Sequence, residues 1–462
     1  MDNVRLVNFR NIKDSGDIEL KPLTIFVGEN GSGKSSLLRL FPLLQQSISV
    51  ARKGPLLWYH EKGVDFGDFE TTVRNGGEEE IKIGFTINCD RESEEFPVKV
   101  LMTIVPDKND KGYDRICEML LEFLGNEVTI KYFENEKASV TVNKSEPSNV
   151  KCGGFLYSLF PYISFEQEYK VVGFQELRDC LADDGKYTQY TEPSDFIGLS
   201  FENFQKLLED KEFNYNLTET YNSIVYAYLS DFIFNLSMTL NFQMQSLTYI
   251  GPFRTSPSRY YRFQNLATKQ INKDGSNMAV FVNAMKDMDK FNDLLQTKFQ
   301  FELHSESHFG HISLFISKDG RKANIIDTGF GYSQVMPILL ALYTFDRGKM
   351  KSGYPFGGGA DTICIEQPEL HLHPSMQYKL GESFFDSAKK IVASESRKKI
   401  ILETHSRSII EAIGNSLVAD DVVKPSDIVV YIFDTVDGNA KITRSSFNED
   451  GYLTHWPLGF LD

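Results

Sequence analysis

The segment Gly28-Glu-Asn-Gly-Ser-Gly-Lys-Ser35 decides the fold of this 462-residue chain. It follows Leu23-Thr-Ile-Phe-Val27, a short apolar run suited to a buried strand, and it precedes Ser36-Leu-Leu-Arg-Leu-Phe41, which has helical spacing. A strand, a glycine-rich loop and a helix in this order are typical of a phosphate-binding loop. The stretch therefore predicts a site for nucleotide phosphates at the carboxyl end of a buried strand.

The residues of this loop have separate expected roles. Its glycines allow backbone N–H groups to turn toward phosphate oxygens, and a helix that opens at Lys34 adds the positive end of its dipole. Lys34 is predicted to hold the β- and γ-phosphates, and Ser35 is predicted to offer its hydroxyl to Mg²⁺, which requires oxygen ligands. The predicted nucleotide-binding residues of the loop are Asn30, Gly31, Gly33, Lys34, Ser35 and Ser36.

Charge and hydropathy restrict the class of protein. The net charge of -15 argues against a surface that coats nucleic acid, because such affinity grows with the number of phosphates that Lys and Arg neutralise. The sequence does not exclude a local basic groove, because Lys389-Lys390 and Arg397-Lys398-Lys399 lie close together in the chain. No apolar run approaches the roughly 18 residues of a membrane span, and Met1-Asp-Asn-Val-Arg-Leu6 lacks the pattern of a signal peptide. The expected location is the cytoplasm, with no membrane contact.

The hydrophobic period changes twice along the chain. Alternating apolar residues between 81 and 142 predict an antiparallel β-meander, and from about residue 195 the spacing becomes helical. The final third alternates apolar strands with helices, as in a parallel sheet. We therefore expect three parts, namely a first lobe with the phosphate loop and the meander (1–195), a helical insertion (196–310) and a second α/β lobe (311–462).

Three later motifs extend the phosphate site. Thr362-Ile-Cys-Ile-Glu366 is an apolar strand that ends in a carboxylate, the place where phosphate-loop enzymes usually make a second contact to Mg²⁺ through water. Lys399-Ile-Ile-Leu-Glu-Thr-His405 is another apolar strand, and its histidine is well placed to sense a γ-phosphate. Asp327-Thr-Gly-Phe-Gly-Tyr-Ser-Gln334 runs into a helix and predicts a second phosphate cradle.

In this order the motifs resemble those of ABC-type ATPases of the AAA group, in the branch that contains the SMC, RecF and overcoming-lysogenization-defect proteins. The resemblance covers about residues 1–45 and 325–462, and it implies an α/β fold, an ABC-type P-loop ATPase with a β-rich lobe and a helical insertion, with ATP and Mg²⁺ as cofactors. In that family the signature turn of one subunit closes over the ATP of another. The resemblance therefore implies a dimer or higher oligomer with composite ATP sites, in which the trans-acting residues are Gly331, Ser333 and Gln334.

Two further stretches resemble a group of predicted ATPases that end in a short C-terminal region of unknown function. They are Tyr249-Ile-Gly-Pro-Phe-Arg254 and the ending that runs from Asn448-Glu-Asp-Gly-Tyr452 to Trp456-Pro-Leu-Gly-Phe460.

The expected catalytic residues depart from the ABC pattern at one position. Transporters and SMC proteins carry Asp-Glu-Pro where this chain has Glu366-Gln367-Pro368, so an amide replaces the usual catalytic glutamate. An amide orients water but cannot accept its proton. Gln367, the nearby alternative Glu369 and the switch histidine His405 are the candidate catalytic residues, and we expect slow hydrolysis.

The resemblance extends to stand-alone ATPases of bacterial anti-phage systems such as Septu and PARIS, which act with a nuclease or toxin effector. It implies a nucleotide-gated oligomeric scaffold that controls a separate effector in response to a phage-derived trigger. Only 57 residues follow His405, fewer than a metal-binding Toprim nuclease domain needs, so a nuclease is expected on another chain.

Two other functions stay as alternatives. The first is a RecF- or SMC-like DNA-repair ATPase that clamps DNA, although the acidic charge and the absence of a long coiled-coil pattern count against it. The second is the ATPase subunit of a transporter, which is weaker because the signature is not Leu-Ser-Gly-Gly-Gln.

Overall fold

The computed structural model describes residues 1–91, 94–134, 136–154, 158–165, 171–182, 192–196, 198–264, 270–347 and 362–456. Its strands are β1 Asn3–Phe9, β2 Ile12–Asp14, β3 Ile18–Glu19, β4 Leu23–Gly28, β5 Ile81–Arg91, β6 Glu94–Pro106, β7 Asp114–Phe123, β8 Asn126–Tyr132, β9 Lys137–Val142, β10 Ser148–Cys152, β11 Ile163–Ser164, β12 Thr248–Ile250, β13 Tyr261–Arg262, β14 Glu302–His308, β15 His311–Lys318, β16 Arg321–Asn324, β17 Thr362–Glu366, β18 Lys399–Glu403, β19 Ile428–Val436 and β20 Asn439–Ser445. Its helices are α1 Lys34–Leu38, α2 Leu40–Ser49, α3 Phe69–Thr72, α4 Phe174–Ala182, α5 Phe201–Leu207, α6 Leu217–Gln245, α7 Met278–Ala284, α8 Met288–Phe299, α9 Phe330–Arg347, α10 Pro374–Ala393 and α11 Arg407–Val418.

A central sheet positions the candidate site. Its strand order is β12-β17-β18-β4-β19-β20, with the first five strands parallel and β20 antiparallel. The phosphate loop follows β4, and two strands lie on one side of it: β18, which precedes His405, and β17, which ends in Glu366. Since the carboxyl ends of parallel strands meet at one edge, the three sequence motifs converge there.

Both faces of the central sheet are covered where β4, β17 and β18 lie, which is why these three strands are mostly apolar and almost wholly buried. All six residues of β4 are buried. Leu23, Ile25 and Val27 pack into one hydrophobic core, together with α9 and α10, whereas Phe26 points into the other core. The sheet is therefore fixed from two sides.

The second core lies under an antiparallel sheet of order β11-β10-β9-β8-β7-β6-β5-β1-β2, in which β3 also pairs with β1. This sheet confirms the predicted meander between residues 81 and 142. Helix α6 packs against it through residues such as Tyr226, whose hydroxyl accepts a hydrogen bond from the backbone N–H of Val142 at 3.2 Å.

The segment 196–310 contains the predicted helices, but it also supplies strands. β12 forms the edge of the central sheet beside β17. β14 pairs with β15 across the turn at Phe309 and Gly310, so the expected boundary between 310 and 311 falls inside a hairpin. This segment is therefore built into both the central sheet and a smaller sheet of β13 to β16.

The end of the described chain packs on α11. A Cβ built on Gly414 would lie 2.0 Å from the carbonyl oxygen of Gly451, and Gly451 has a φ of 77°. Residues 457–460 of the predicted C-terminal motif lie outside the described residues. Within the part of the chain that the structure covers, no helix is both long and apolar enough to cross a bilayer.

Candidate nucleotide-binding site

The phosphate loop requires glycine where it leaves the sheet. Gly28 has a φ of 138°, and a Cβ there would lie 2.0 Å from the carbonyl oxygen of Phe433 on the neighbouring strand β19. Gly31 and Gly33 also have positive φ values, of 77° and 105°. These backbone conformations are unstrained only for glycine, so the path of the backbone explains why the motif has glycine at these positions.

Lys34 lies folded over this loop. Its Nζ donates to the carbonyl oxygens of Gly28 at 2.9 Å and Glu29 at 2.5 Å, and the residue is 3% exposed. Burial lowers the pKa of Lys34. Of the other predicted loop residues, Asn30 and Gly31 are exposed, whereas Ser36 is buried in α1. The loop therefore presents its peptide groups to solvent around a buried cation.

The helix after the loop is interrupted as soon as it begins. α1 covers five residues and α2 starts at Leu40, because Pro42 has no N–H to donate to the carbonyl of Leu38. The residue between them, Arg39, keeps a helical conformation.

A buried ion pair ties Arg39 to the carboxyl end of β17. Its Nε donates to Glu366 Oε1 at 2.8 Å and its Nη2 donates to Oε2 at 2.7 Å. The hydroxyl of Tyr249, on β12, also donates to Oε1 at 2.7 Å, and Glu366 is 1% exposed. Burial opposes the charge of Arg39, but the hydrogen bond and the charge of Glu366 outweigh it and raise the pKa of Arg39. Burial and the charge of Glu366 raise the pKa of Tyr249.

A second carboxylate, Glu403, faces the phosphate loop. It ends β18 in register with Glu366, and its Oε1 accepts a hydrogen bond from Ser35 Oγ at 2.7 Å. Glu403 is 1% exposed. Burial and the nearby charge of Glu366 raise the pKa of Glu403 to about 7.

Arg254 holds the backbone at Glu366 and Gln367. Its Nη2 donates to the carbonyl oxygens of Glu366 at 3.0 Å and Gln367 at 3.1 Å. Gln367 has a φ of 42°, and its N–H donates to the carbonyl of Glu403 at 2.8 Å. Burial lowers the pKa of Arg254 to about 10, and its Nε and Nη1 have no hydrogen-bond partner among the described residues.

Glu369 and His405 are joined. Glu369 accepts hydrogen bonds from the N–H of His405 at 2.7 Å and from Thr404 Oγ1 at 2.8 Å. Burial raises the pKa of Glu369. Burial and the charge of Lys34 lower the pKa of His405 to about 4, so the imidazole is neutral at pH 7.

The signature turn lies at the start of α9, against residues that follow β17. The ring of Phe330 meets the ring of His371 at 5.1 Å, and a Cβ on Gly331 would lie 3.5 Å from the carbonyl oxygen of His371. Ser333 Oγ donates to the carbonyl of Phe330 at 2.7 Å, and Gln334 Nε2 lies 3.5 Å from Ser333 Oγ. The side chains of Ser333 and Gln334 are buried, so the turn presents mainly its backbone and Phe330 outward.

The structure brings together Lys34, Ser35 and the loop before His405. Glu366 ends β17, which is one strand further from the phosphate-loop strand β4 than β18 is. The sequence analysis gave no site role to four residues at this edge, although all of them lie inside stretches quoted there: Arg39, Tyr249, Arg254 and Glu403. Glu403 was visible in the sequence as a carboxylate two residues before His405. Residues at corresponding positions at the ends of adjacent parallel strands lie close together.

The site fits a magnesium-bound nucleotide. Two buried polar atoms, Glu403 Oε2 and His405 Nε2, have no hydrogen-bond partner among the described residues. An unpartnered carboxylate oxygen suits a hard cation, and a ring nitrogen suits a phosphate. Lys34 and the loop N–H groups would hold the phosphates, and Ser35 with Glu366 or Glu403 would hold Mg²⁺, which neutralises charge on the β- and γ-oxygens.

Comparison with known proteins identifies the family of the chain. Residues 1–410 match the AAA ATPase domain family, and the chain belongs to that family. Its fold is that of an α/β P-loop ATPase. Among solved structures, it is similar to the SMC head domain from Thermotoga maritima, with 12% identity, a TM-score of 0.36, and coverage of 96% of this chain and 97% of that chain. No curated protein matches the sequence.

Tyr249→Phe is expected to lower the free energy of unfolding by about 1.5–3 kcal/mol, because it removes a hydrogen bond to a buried carboxylate. Urea-induced unfolding measures the change. Tyr452→Phe is the control, since Tyr452 is 65% exposed and its loss should stay within about 0.5 kcal/mol. Equal stability of the two variants would show that the Tyr249 hydroxyl does not support Glu366.

Proposed function

We propose that the chain binds ATP with Mg²⁺, hydrolyses it slowly and uses the bound nucleotide to hold copies of itself together. One observation carries the proposal: Lys34, Ser35 and Glu403 meet at the carboxyl edge of the central sheet. A buried cation, a hydroxyl and a carboxylate around a glycine-rich loop are the groups that a magnesium-bound triphosphate requires.

The slow rate follows from Gln367, which holds the place of the usual glutamate. An amide orients water without accepting its proton. Arg254 binds the carbonyl oxygen of Gln367, which supports a fixed position for this residue. Glu369, the other candidate base, already accepts hydrogen bonds at both oxygens from the loop after β18. We therefore assign the orientation of water to Gln367 and a γ-phosphate contact to His405.

Gln367→Glu is expected to raise kcat for ATP hydrolysis at least about tenfold, because a positioned general base contributes about 10²–10⁴-fold. Phosphate release at saturating Mg²⁺ and ATP measures the rate. Gln296→Glu, at an exposed position of α8, is the matched control and should leave kcat unchanged. A wild-type turnover of many per second, or no gain in Gln367→Glu, would contradict the assignment.

Closure between two copies is the second part of the proposal. The signature turn lies at the start of α9 and its backbone at 329–330 is exposed, which suits a contact with the phosphates of a partner. Ser333 and Gln334 support the turn from inside through their hydrogen bonds. Gly331 has room for a side chain, so it is the position at which a charge disturbs the contact without disturbing the turn.

Lys34→Ala and Gly331→Glu should therefore fail at different steps. Lys34→Ala is expected to weaken ATP binding at least about tenfold, since a hydrogen bond to a charged group contributes about 1.5–3 kcal/mol. Gly331→Glu should bind ATP normally but lose ATP-dependent association, because its carboxylate repels the partner's phosphates. Fluorescent-nucleotide titration measures binding, and sedimentation velocity measures association.

Gly154→Glu is the control for the added charge, because Gly154 is exposed and nothing lies within 4 Å of a Cβ built there. It should associate like the wild type. If Lys34→Ala and Gly331→Glu behave alike in the binding titration, the trans role of the signature turn is wrong.

In the cell, the scaffold is proposed to control a nuclease or toxin effector in anti-phage defence. The resemblance of the sequence to such ATPases supports this role, and the net charge of -15 agrees with it. The basic residues 389–399 do not form a groove of unpaired cations. Lys389 pairs with Asp420, Lys390 pairs with Asp346, Arg397 pairs with Glu95 and Lys399 pairs with Asp2.

Tagged purification from the native host with Mg²⁺ and ATP, followed by mass spectrometry, tests the cellular role. A stoichiometric nuclease or toxin-like protein is the expected result, and its amount should fall in Gly331→Glu. Co-elution of DNA without such a protein, in a manner weakened by salt, would instead support the DNA-clamping repair ATPase.

A further inference from the structure

The switch histidine lies in a three-residue loop, Thr404-His405-Ser406, which joins β18 to α11. The N–H of Thr404 donates to the carbonyl oxygen of Phe26 at 3.0 Å, so the start of this switch loop is fixed to the strand that leads into the phosphate loop. His405 Nε2 is buried and has no hydrogen-bond partner among the described residues. The charge of Lys34 acts on the imidazole, so the ring lies near the phosphate loop. The switch loop therefore presents an unused ring nitrogen at the candidate site.

Glu369 holds this loop from the turn after β17. Its Oε1 accepts a hydrogen bond from the N–H of His405 at 2.7 Å, and its Oε2 accepts one from Thr404 Oγ1 at 2.8 Å. Hydrogen bonds to an ionised acceptor are roughly twice as strong as those between neutral groups. Because the bonded N–H belongs to His405 itself, the carboxylate fixes the backbone from which the imidazole extends.

Gln377, near the start of α10, contacts the other end of the switch loop. Ser406 Oγ donates to Gln377 Oε1 at 2.6 Å, and Gln377 Nε2 donates to the carbonyl oxygen of Leu372 at 2.9 Å. The last residue of the loop is therefore held by a side chain other than Glu369. Loss of the Glu369 carboxylate should displace His405 without detaching the start of α11.

The contacts of Glu369 do not suit a general base. Both of its oxygens accept hydrogen bonds, which stabilise the charged carboxylate and so oppose the uptake of a proton from water. A base must also lie within hydrogen-bond reach of the attacking water. Gln367 is the residue proposed to orient that water, so the bound carboxylate of Glu369 has a different role.

We propose that Glu369 is a positioning residue, which holds His405 for its contact with the γ-phosphate and thereby lets the site distinguish ATP from ADP. This inference rests on the proposed binding of ATP and on the γ-phosphate contact of His405. A neutral imidazole that carries its proton on Nε2 is a hydrogen-bond donor, and ADP has no γ-phosphate to accept that bond. A displacement of about 1 Å at such a contact is enough to lose much of its effect.

The affinity for an ATP analogue that is not hydrolysed, divided by the affinity for ADP, measures this contact without using hydrolysis. Fluorescent forms of both nucleotides are titrated with Mg²⁺ into the wild type, His405→Ala, Glu369→Ala, Glu369→Gln and the double variant Glu369→Ala/His405→Ala. Glu382→Ala is the matched control, because Glu382 is a half-buried carboxylate of α10 whose charge acts on Lys298 of α8. The control should keep the wild-type ratio of affinities.

We expect Glu369→Ala to reduce the ratio at least about fivefold and His405→Ala at least about tenfold, the scale of a hydrogen bond to a charged group. The double variant should have the ratio of His405→Ala alone, because both changes act through one contact. Glu369→Gln should keep most of the ratio and of kcat, since the amide oxygen still accepts the N–H of His405.

An unchanged ratio in Glu369→Ala, beside a reduced ratio in His405→Ala, overturns the inference but leaves the proposed function intact. A fall in kcat of about a hundredfold or more in Glu369→Gln would identify Glu369 as the base and also overturns the inference. No binding of ATP by the wild type, or an unchanged ratio in His405→Ala, instead contradicts the proposed function. If Glu369→Ala does not fold, Glu369→Asp replaces it. The shorter side chain withdraws the carboxylate from His405, so the ratio should fall, and an unchanged ratio overturns the inference.

Discussion

The edge of the central sheet depends on the balance of charge between buried carboxylates and buried cations. Glu366 and Glu403 end the neighbouring strands β17 and β18 and Glu369 lies in the turn after β17, where ionised groups are costly to bury. Arg39 neutralises Glu366 by direct contact, whereas Lys34 and Arg254 act on the other two mainly through their charges. The three carboxylates are thus matched in number by three cations, which lowers the cost of burying the ionised groups.

This balance of charge requires a rigid backbone that holds the charged groups in place. The central sheet packs on one side against α9 and α10, and on the other side against a core shared with the antiparallel sheet and α6. Arg39 extends this rigidity, because it connects the helix after the phosphate loop to β17 and, through Glu366, to Tyr249 on β12. Binding of a nucleotide therefore acts on a preorganised edge, so little of the binding free energy is spent on ordering the protein.

Local requirements made part of this structure predictable. Gly28 must be glycine because the backbone of β19 leaves no space for a side chain, so the loop is visible in the sequence. The β-meander was equally predictable, because apolar residues alternate along its strands. The contacts of Glu366 were not, because its partners lie 327 and 117 residues away in the chain. β12 has only three residues, too few for a recognisable period, and it lies within a segment that the pattern predicts to be helical.

Glu403 shows a different limit of sequence reasoning. It ends a run that reads as an ordinary buried strand, and only the strand order shows that it faces Ser35. The same holds for Arg254, whose role at the carbonyl of Gln367 depends on a loop after β12. Motifs identify which strands lead to the site, but only the folded structure shows that Ser35 contacts Glu403 and that Arg39 contacts Glu366.

The close backbone contact between Gly414 and Gly451 connects α11 to the segment after β20. α11 begins two residues after His405, and its backbone touches the segment 446–454 so closely that neither glycine has room for a Cβ. Helix and segment must therefore move as one rigid arm. Because α11 has 12 residues, it is about 18 Å long, and a tilt of about 10° at its histidine end displaces its far end by about 3 Å. A small tilt at the His405 end of the helix thus corresponds to a shift of side-chain size at its other end.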